Sequence, residues 1–205
     1  MAEINFYNQD CISFMKTKPD NYYDLAIVDP EFGIGISKSP RLVTDKGLKA
    51  KDWDNKPVDM NYFTELFRIS KNQIIWGGNY YPLPANKHCI IWDKMQPEKM
   101  SFGMFDYAWT SFSGANKMFR YSVQKEQDKR HPTQKPVDLY RWTLQRYAEK
   151  GMKIFDSHGG SHTHAIAADM EGYDLDICEI DKEYFDNGVK KYNEYKQQTT
   201  LFSTI

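Results

Sequence analysis

Short apolar runs bounded by Asp, Pro or Gly recur along the chain and predict buried strands. We predict seven strands, at Ile4–Tyr7, Asp24–Val28, Gln73–Trp76, Cys89–Trp92, Tyr107–Phe112, Lys153–Phe155 and Leu175–Cys178. Helical patterns lie between several of them, at Tyr62–Ser70, Val137–Ala148, Thr163–Met170 and Lys182–Tyr195. Strands that alternate with helices predict a doubly wound α/β domain, with a mostly parallel sheet covered by helices on both faces.

Two basic stretches have no clear period. The first, residues 37–54, carries five lysines and arginines and is predicted to be a surface loop. The second, residues 114–130, carries Lys117, Arg120, Lys125, Lys129 and Arg130. It is either a solvated polar segment or an anion-binding surface.

Composition limits the class of protein. The chain has 205 residues, of which 40% are hydrophobic and 27% are charged, as in an ordinary globular domain. Because its formal net charge is −1, contacts with nucleic acid must come from a local basic face. The three cysteines (Cys11, Cys89 and Cys178) form no CxxC pair, and no signal peptide or membrane span is visible. We therefore expect reduced thiols in a cytoplasmic protein, with one domain over residues 1–196 and a tail over 197–205.

Acidic residues follow four of the predicted strands, namely Asp10, Asp29, Asp156 and Glu179. In a doubly wound sheet, ligands bind beyond the carboxyl ends of the strands. A glycine-containing loop and a helix follow Asp156, which is the arrangement that presents backbone N–H groups to a ligand. Glu179 comes after the next strand, as the ribose-binding acid does in nucleotide-binding folds. The alternative is that each acid only ends its strand in a turn.

Two motifs carry a family resemblance. Asp29-Pro-Glu-Phe32 resembles the Asp-Pro-Pro-Tyr motif of amino-group DNA methyltransferases, and His131-Pro-Thr-Gln-Lys-Pro136 resembles the signature of their β-class. Trp76-Gly-Gly-Asn79, residues 90–94 and residues 105–111 are similar to the middle strands of that class. The resemblance implies a Rossmann-like fold, S-adenosylmethionine as cofactor and double-stranded DNA as substrate.

The resemblance also implies roles for individual residues. The Asp29 side chain and the Pro30 carbonyl oxygen would accept the hydrogens of an exocyclic base amine, and Phe32 would stack on the flipped base. The residues that would bind the cofactor are Asp10 and Cys11 at its adenine, Glu179 at its ribose, and Asp156, Gly160, Thr133 and Lys135 at its methionine end.

The target is expected to be adenine N6, because Asp stands first in the motif, with cytosine N4 as the alternative. A cytosine C5 methyltransferase needs a nucleophilic Cys after Pro, and no cysteine here follows a proline. Larger relatives insert a recognition domain where this chain has only residues 113–130. The resemblance therefore implies that the enzyme reads a short site with this segment, or that it relies on residues 37–54 or on a second subunit. The cations of residues 113–130, which are Lys117, Arg120, Lys125, Lys129 and Arg130, would bind DNA phosphates.

Two residues depart from the family pattern. Glu31 replaces a proline and, if it faces the pocket, its charge would disturb Asp29. His162 stands where the family usually has a small residue, and its ring could crowd the cofactor. A catalytically weakened DNA-binding relative is therefore an alternative. His158, His162 and His164 with Asp156 also suggest a metal site, but we expect none, since a zinc hydrolase leaves the His131–Pro136 signature unexplained.

Two predictions about protein partners rest on weaker sequence evidence. A homodimer is plausible without a specific sequence feature. Gln198-Thr-Thr-Leu-Phe202 resembles the peptide that bacterial sliding clamps bind, although a frayed terminus is the simpler interpretation.

Overall fold

The computed structural model describes residues 2–35, 54–99, 103–125 and 133–202. Eight strands form one sheet in the order β1-β8-β7-β2-β3-β5-β4-β6. The strands are β1 (Ile4–Tyr7), β2 (Tyr23–Val28), β3 (Ser70–Trp76), β4 (Cys89–Asp93), β5 (Phe105–Thr110), β6 (Lys117–Arg120), β7 (Lys153–Asp156) and β8 (Asp174–Cys178).

Five α-helices are described: α1 (Cys11–Lys16), α2 (Met60–Ile69), α3 (Val137–Tyr147), α4 (Thr163–Glu171) and α5 (Lys182–Phe202). Short 3₁₀ turns lie at Gly78–Tyr80 and Val123–Lys125. None of the helices in the described part of the chain combines the length and apolarity that a membrane crossing requires.

The sheet is mostly parallel. β1, β8, β7, β2 and β3 pair in parallel, and only β5 runs against its two neighbours, β3 and β4. The carboxyl ends of β1, β2, β7 and β8 therefore meet at one edge, which brings the four predicted acidic strand ends to the same side of the molecule.

Helices cover both faces of the sheet, as predicted. On one face, Leu139 and Leu144 of α3 and Ala165 of α4 are buried against the sheet. On the other, Phe14 of α1 and Leu66 of α2 are buried with Val28. Strand β2 is buried at five of its six positions, which explains its nearly continuous apolar sequence.

Three predictions of local structure are corrected. Residues 117–120 form an eighth strand, β6, although no apolar run marks it, because an edge strand with exposed side chains carries little hydrophobic signal. Cys11–Lys16 is a helix, and Asp10 is its N-cap. Helix α5 continues to Phe202, so the predicted tail begins inside a helix. The predicted loop at 37–54 lies outside the described residues except for Asp54, which is buried and accepts a hydrogen bond from the Gly33 N–H.

Candidate active site

The predicted catalytic segment follows β2 and lies beside Lys135 of the signature. The Nζ atom of Lys135 lies 2.5 Å from Oδ2 of Asp29, and both residues line one cavity. Asp29 Oδ1 is buried without a hydrogen-bond partner among the residues that the structure describes. Burial raises the pKa of Asp29, and this effect exceeds the opposing effect of Lys135. A buried acceptor left open is costly, so this oxygen is available to a ligand.

Tyr80 and Tyr81 contact the other residues of this segment, which are Pro30, Glu31 and Phe32. The Tyr81 hydroxyl lies 3.1 Å from the Pro30 carbonyl oxygen and 2.8 Å from the Glu31 carbonyl oxygen, and can donate to either. The Phe32 ring stacks on Tyr80 with 4.8 Å between ring centroids. On Gly77, which has φ +68, any Cβ atom would overlap the Phe32 ring. Glycine is needed at position 77 because φ is positive and because there is no room for a Cβ atom.

Six of the seven cofactor residues predicted from the resemblance line two adjoining cavities, and the exception is Asp156, which lines neither. The first contains Thr133, Lys135 and Gly160 together with the catalytic segment Asp29–Phe32. The second contains Asp10 and Cys11. Four residues line both cavities: Glu31, His158, Glu179 and Ile180. The structure thus brings the predicted adenine, ribose and methionine residues into one continuous region.

Glu179 is fixed between the two cavities by backbone donors. Its Oε2 accepts from the Gly160 N–H at 2.8 Å, and its Oε1 accepts from the Asp181 N–H at 2.8 Å. Burial raises its pKa, against these two hydrogen bonds, which lower it. Because an ionised carboxylate has about four acceptor positions, two remain for a diol. These two acceptor positions fit the two hydroxyl groups of the S-adenosylmethionine ribose.

Two of the predicted cofactor residues also serve local structure. Asp10 Oδ2 caps α1 by accepting from the Ser13 N–H at 2.7 Å. Asp156 is buried beneath the glycine loop, where Oδ1 accepts from the His158 N–H and Oδ2 lies 2.9 Å from His164 Nδ1. Its carboxylate shapes the loop, and a direct contact between Asp156 and the cofactor stays a prediction.

His162 does not face either cavity. It has φ +53 and is fully buried, with its ring centroid 5.0 Å from that of Phe6 and 5.7 Å from that of Phe185. The His162 ring also packs against Gly159 and Gly188, where a Cβ atom would overlap it. Burial lowers its pKa to about 4. The expected crowding of the cofactor is therefore wrong, because the left-handed backbone turns the ring away from the cavity.

The other two histidines have separate environments. His158 Nε2 lies 3.1 Å from Oε2 of Glu31, whereas His164 pairs with Asp156 and stacks on Tyr140. Within the described ranges, no group of three or more His, Cys, Asp or Glu side chains is arranged to hold a metal ion.

The predicted DNA-binding cations lie only partly within the described chain. Lys117 and Arg120 are exposed on β6, where Arg120 Nε is 3.4 Å from Asp93 Oδ2. Lys125 lies over the Tyr121 ring. Lys129 and Arg130 fall outside the described residues. Since β6 is four strands from β2 in the sheet, the backbone of Lys117 and Arg120 lies about 19 Å from that of β2.

Several site residues escaped the sequence analysis: Tyr62, Tyr80, Tyr81 and the Ser157–His158 pair. Tyr80 and Tyr81 directly follow Trp76-Gly-Gly-Asn79, so the motif itself was a signal for them. Tyr62 had no signal, because its hydroxyl reaches Ser157 Oγ, at 2.6 Å, only through the tertiary fold.

Comparison with known proteins decides the family. Residues 14–190 match the model of the N6/N4 DNA methylases. The chain belongs to the N6/N4 DNA methylase family. This methylase is 24% identical to the Type II methyltransferase M2.MboI of Moraxella bovis, over 93% of this chain and 88% of that protein.

Solved structures agree with the fold of the methylase. The M1.HpyAVI–SAM complex superposes with a TM-score of 0.63 at 17% identity, covering 92% of this chain and 99% of that one. The cytosine-N4-specific PvuII DNA methyltransferase gives a TM-score of 0.64 at 14% identity, covering 92% and 86%. The predicted Rossmann-like fold is confirmed. As a family member, the protein is a DNA methyltransferase that acts on an amino nitrogen with S-adenosylmethionine as methyl donor.

Proposed function

We propose that this methylase transfers a methyl group to N6 of an adenine flipped out of duplex DNA, and that Asp29, Pro30 and Phe32 form its catalytic segment. The observation that carries the proposal is the buried, unpartnered Oδ1 of Asp29 in the cavity shared with Thr133 and Lys135. An Asp at the first position of the motif favours adenine over cytosine.

The difficulty of the reaction lies in the nucleophile. The lone pair of an exocyclic amine is delocalised into the ring, so the nitrogen attacks only after its hydrogens are held out of the ring plane. Asp29 Oδ1 is the acceptor for one hydrogen. The Pro30 carbonyl oxygen is the acceptor for the other, and its second lone pair is still available beside the hydrogen bond from Tyr81. Catalysis then depends on position and electrostatics.

Lys135 keeps Asp29 in the reactive state. The buried carboxylate must be ionised to accept an amine hydrogen, while burial favours the protonated form. The ammonium of Lys135 at Oδ2 opposes that effect and leaves Oδ1 for the base. Transfer leaves the nitrogen with an extra proton, which Asp29 can accept and then release to water.

Glu179, the Gly159–Ser161 loop and Thr133 would hold the cofactor beside this segment. When bound, S-adenosylmethionine supplies an electrophilic methyl group on a sulfonium sulfur. Phe32 would support the base, because Tyr80 and Gly77 fix the orientation of its ring. The cations on β6 would bind phosphates away from the target base.

The finer partner assignments remain predictions. A homodimer and a sliding-clamp contact through Gln198–Phe202 have no support beyond the sequence, and those residues form the last turns of α5.

Mass spectrometry of nucleosides tests the proposal. Duplex DNA incubated with the protein and labelled S-adenosylmethionine should yield labelled N6-methyl-2′-deoxyadenosine, and Asp29→Ala should yield it at least about 100-fold more slowly. Labelled N4-methylcytosine would move the target to cytosine. Cofactor binding without any methylated nucleoside, on DNA of varied sequence, would favour the weakened relative instead.

A further inference from the structure

An ion pair stands where the two cavities adjoin. Glu31 follows the catalytic Asp29-Pro30, and His158 lies in the glycine loop, yet Oε2 of Glu31 is 3.1 Å from Nε2 of His158. The two side chains are 22% and 15% exposed, and both line the first and the second cavity. Glu179 and Ile180 also line both cavities, and we call the region formed by these four residues the waist.

The imidazole is held from its other side as well. Its Nδ1 lies 2.7 Å from Ser157 Oγ, which in turn lies 2.6 Å from the Tyr62 hydroxyl of α2. The Tyr62 ring contacts the His158 ring edge to face at 5.4 Å. The pair therefore connects the catalytic segment, the glycine loop and α2 through one chain of contacts.

Acidic and polarisable groups surround His158 from every neighbouring element. They are Glu31 after β2, Cys11 of α1, Tyr62 of α2, Asp156 of β7 and Glu179 after β8. Burial lowers the pKa of His158, but the charge of Glu31 and the contact with Cys11 outweigh burial and raise it well above its ordinary value. The direction of this shift favours the imidazolium form of the ring in the free protein.

We propose that the Glu31–His158 ion pair is a latch across the cofactor site, which opens when S-adenosylmethionine binds and releases a proton from His158. The inference rests on the proposed cofactor residues, Asp10 and Cys11 on one side of the waist and Thr133 and Lys135 on the other. A ligand that contacts both groups has to cross the region lined by Glu31, His158, Glu179 and Ile180, where the ion pair lies.

The proton balance gives the latch a measurable signature. When Nε2 of His158 leaves Glu31, the imidazolium loses its main opposing charge and its pKa falls. Between the pKa values of the bound and free states, the Nε2–H proton passes to the buffer. Binding coupled to proton release becomes tighter as pH rises through that interval. Glu31 and His158 thus act as positioning residues for the cofactor.

Calorimetric titration with S-adenosylmethionine tests the latch, in buffers of low and high ionisation enthalpy between pH 5 and pH 9. The wild-type protein should release a proton on binding. Glu31→Gln and His158→Asn should release none and should bind roughly two- to tenfold more tightly, since no ion pair has to be broken. His88→Gln, which changes a histidine bound to Tyr147 far from the site, should behave as the wild type.

Adenosine provides a half-site control because it would occupy only the second cavity. It should bind wild-type protein and Glu31→Gln equally and release no proton. Thermal melting verifies that the variants are folded, as expected for a partly exposed pair. Cofactor binding without proton release, or weaker binding by folded Glu31→Gln, overturns the latch and leaves the proposed function intact. Failure of every folded variant and of the wild type to bind S-adenosylmethionine rejects the proposed function, and with it the latch.

Discussion

Lys135 Nζ lies 2.5 Å from Oδ2 of Asp29, although one residue belongs to the signature near α3 and the other follows β2. This contact joins the proposed catalytic segment to the cavity proposed for the cofactor. It also occupies Oδ2 of the carboxylate, so that Oδ1 is the oxygen proposed to accept from a substrate amine. Five predictions follow from this arrangement and its surroundings.

Asp29→Ala should lower the rate of methyl transfer by about 100-fold or more, since it removes an acceptor that acts on the transition state. Binding of S-adenosylmethionine should change little, because the Glu179 and Gly160 contacts are untouched. The matched control is Asp24→Ala at the opposite end of β2, where Asp24 pairs with Lys71. Single-turnover rates and calorimetry separate the two effects, and an active Asp29→Ala protein would contradict the assignment.

The pH dependence of kcat/KM should report Asp29. Activity should fall as pH drops through its raised pKa, because the protonated acid cannot accept an amine hydrogen. Lys135→Met removes the charge that lowers this pKa, so the acidic limb should move to higher pH. If the acidic limb of the profile stays in place or moves to lower pH in folded Lys135→Met, Asp29 is not the group that titrates.

Gly77→Ala should displace the Phe32 ring and reduce activity. Gly172→Ala is the control for backbone strain: it has a similar φ of +78, but open space where its Cβ would lie. Both variants should lose about 1 kcal/mol of stability from the left-handed conformation. Only Gly77→Ala should also impair methylation. It should also reduce the rise in fluorescence that 2-aminopurine, placed at the target position of the duplex, shows when it is flipped out. Equal activity in the two variants would show that Phe32 orientation is unimportant.

His162 should make the fold less stable in acid. Its folded pKa of about 4 lies below the ordinary value of about 6.5, so the unfolded chain takes up a proton first as pH falls. Its contribution is fully present above pH 6.5 and is lost progressively toward pH 4, by about 3 kcal/mol. His162→Asn keeps a residue that tolerates φ +53 and removes this loss. Urea unfolding at several pH values measures the free energy of unfolding of wild type and His162→Asn. If both proteins lose the same stability between pH 6.5 and pH 4, His162 is not held neutral in the fold.

Lys117→Gln should weaken DNA binding for all sequences alike and reduce the slope of log affinity against log salt by about one. Lys71→Gln is the comparison, since Lys71 lies at the start of β3, away from the carboxyl edge. Fluorescence anisotropy with a short duplex at several salt concentrations measures both. A slope equal to that of the wild type would place the phosphate contacts elsewhere.

The sequence by itself determined seven of the eight strands to within three residues at each end, the two motifs, and the acids at or after the ends of β1, β2, β7 and β8. These features are local: a buried strand is an apolar run, and the residue after it is read directly from the chain. The same reasoning missed β6, because an exposed edge strand needs only its hydrogen bonds to β4. It also missed α1, which is a single short helix begun by Asp10.

Only the tertiary structure decided how the side chains at those strand ends face one another. Glu31 was expected to disturb Asp29 if it faced the pocket; it does line the pocket, and there it pairs with His158. His162 was expected near the cofactor, and instead its ring packs between Phe6 and Phe185. Both outcomes depend on contacts between residues far apart in the chain and on one positive φ. A pattern of neighbouring residues carries no information about either, because such contacts exist only after the strands have assembled into the sheet.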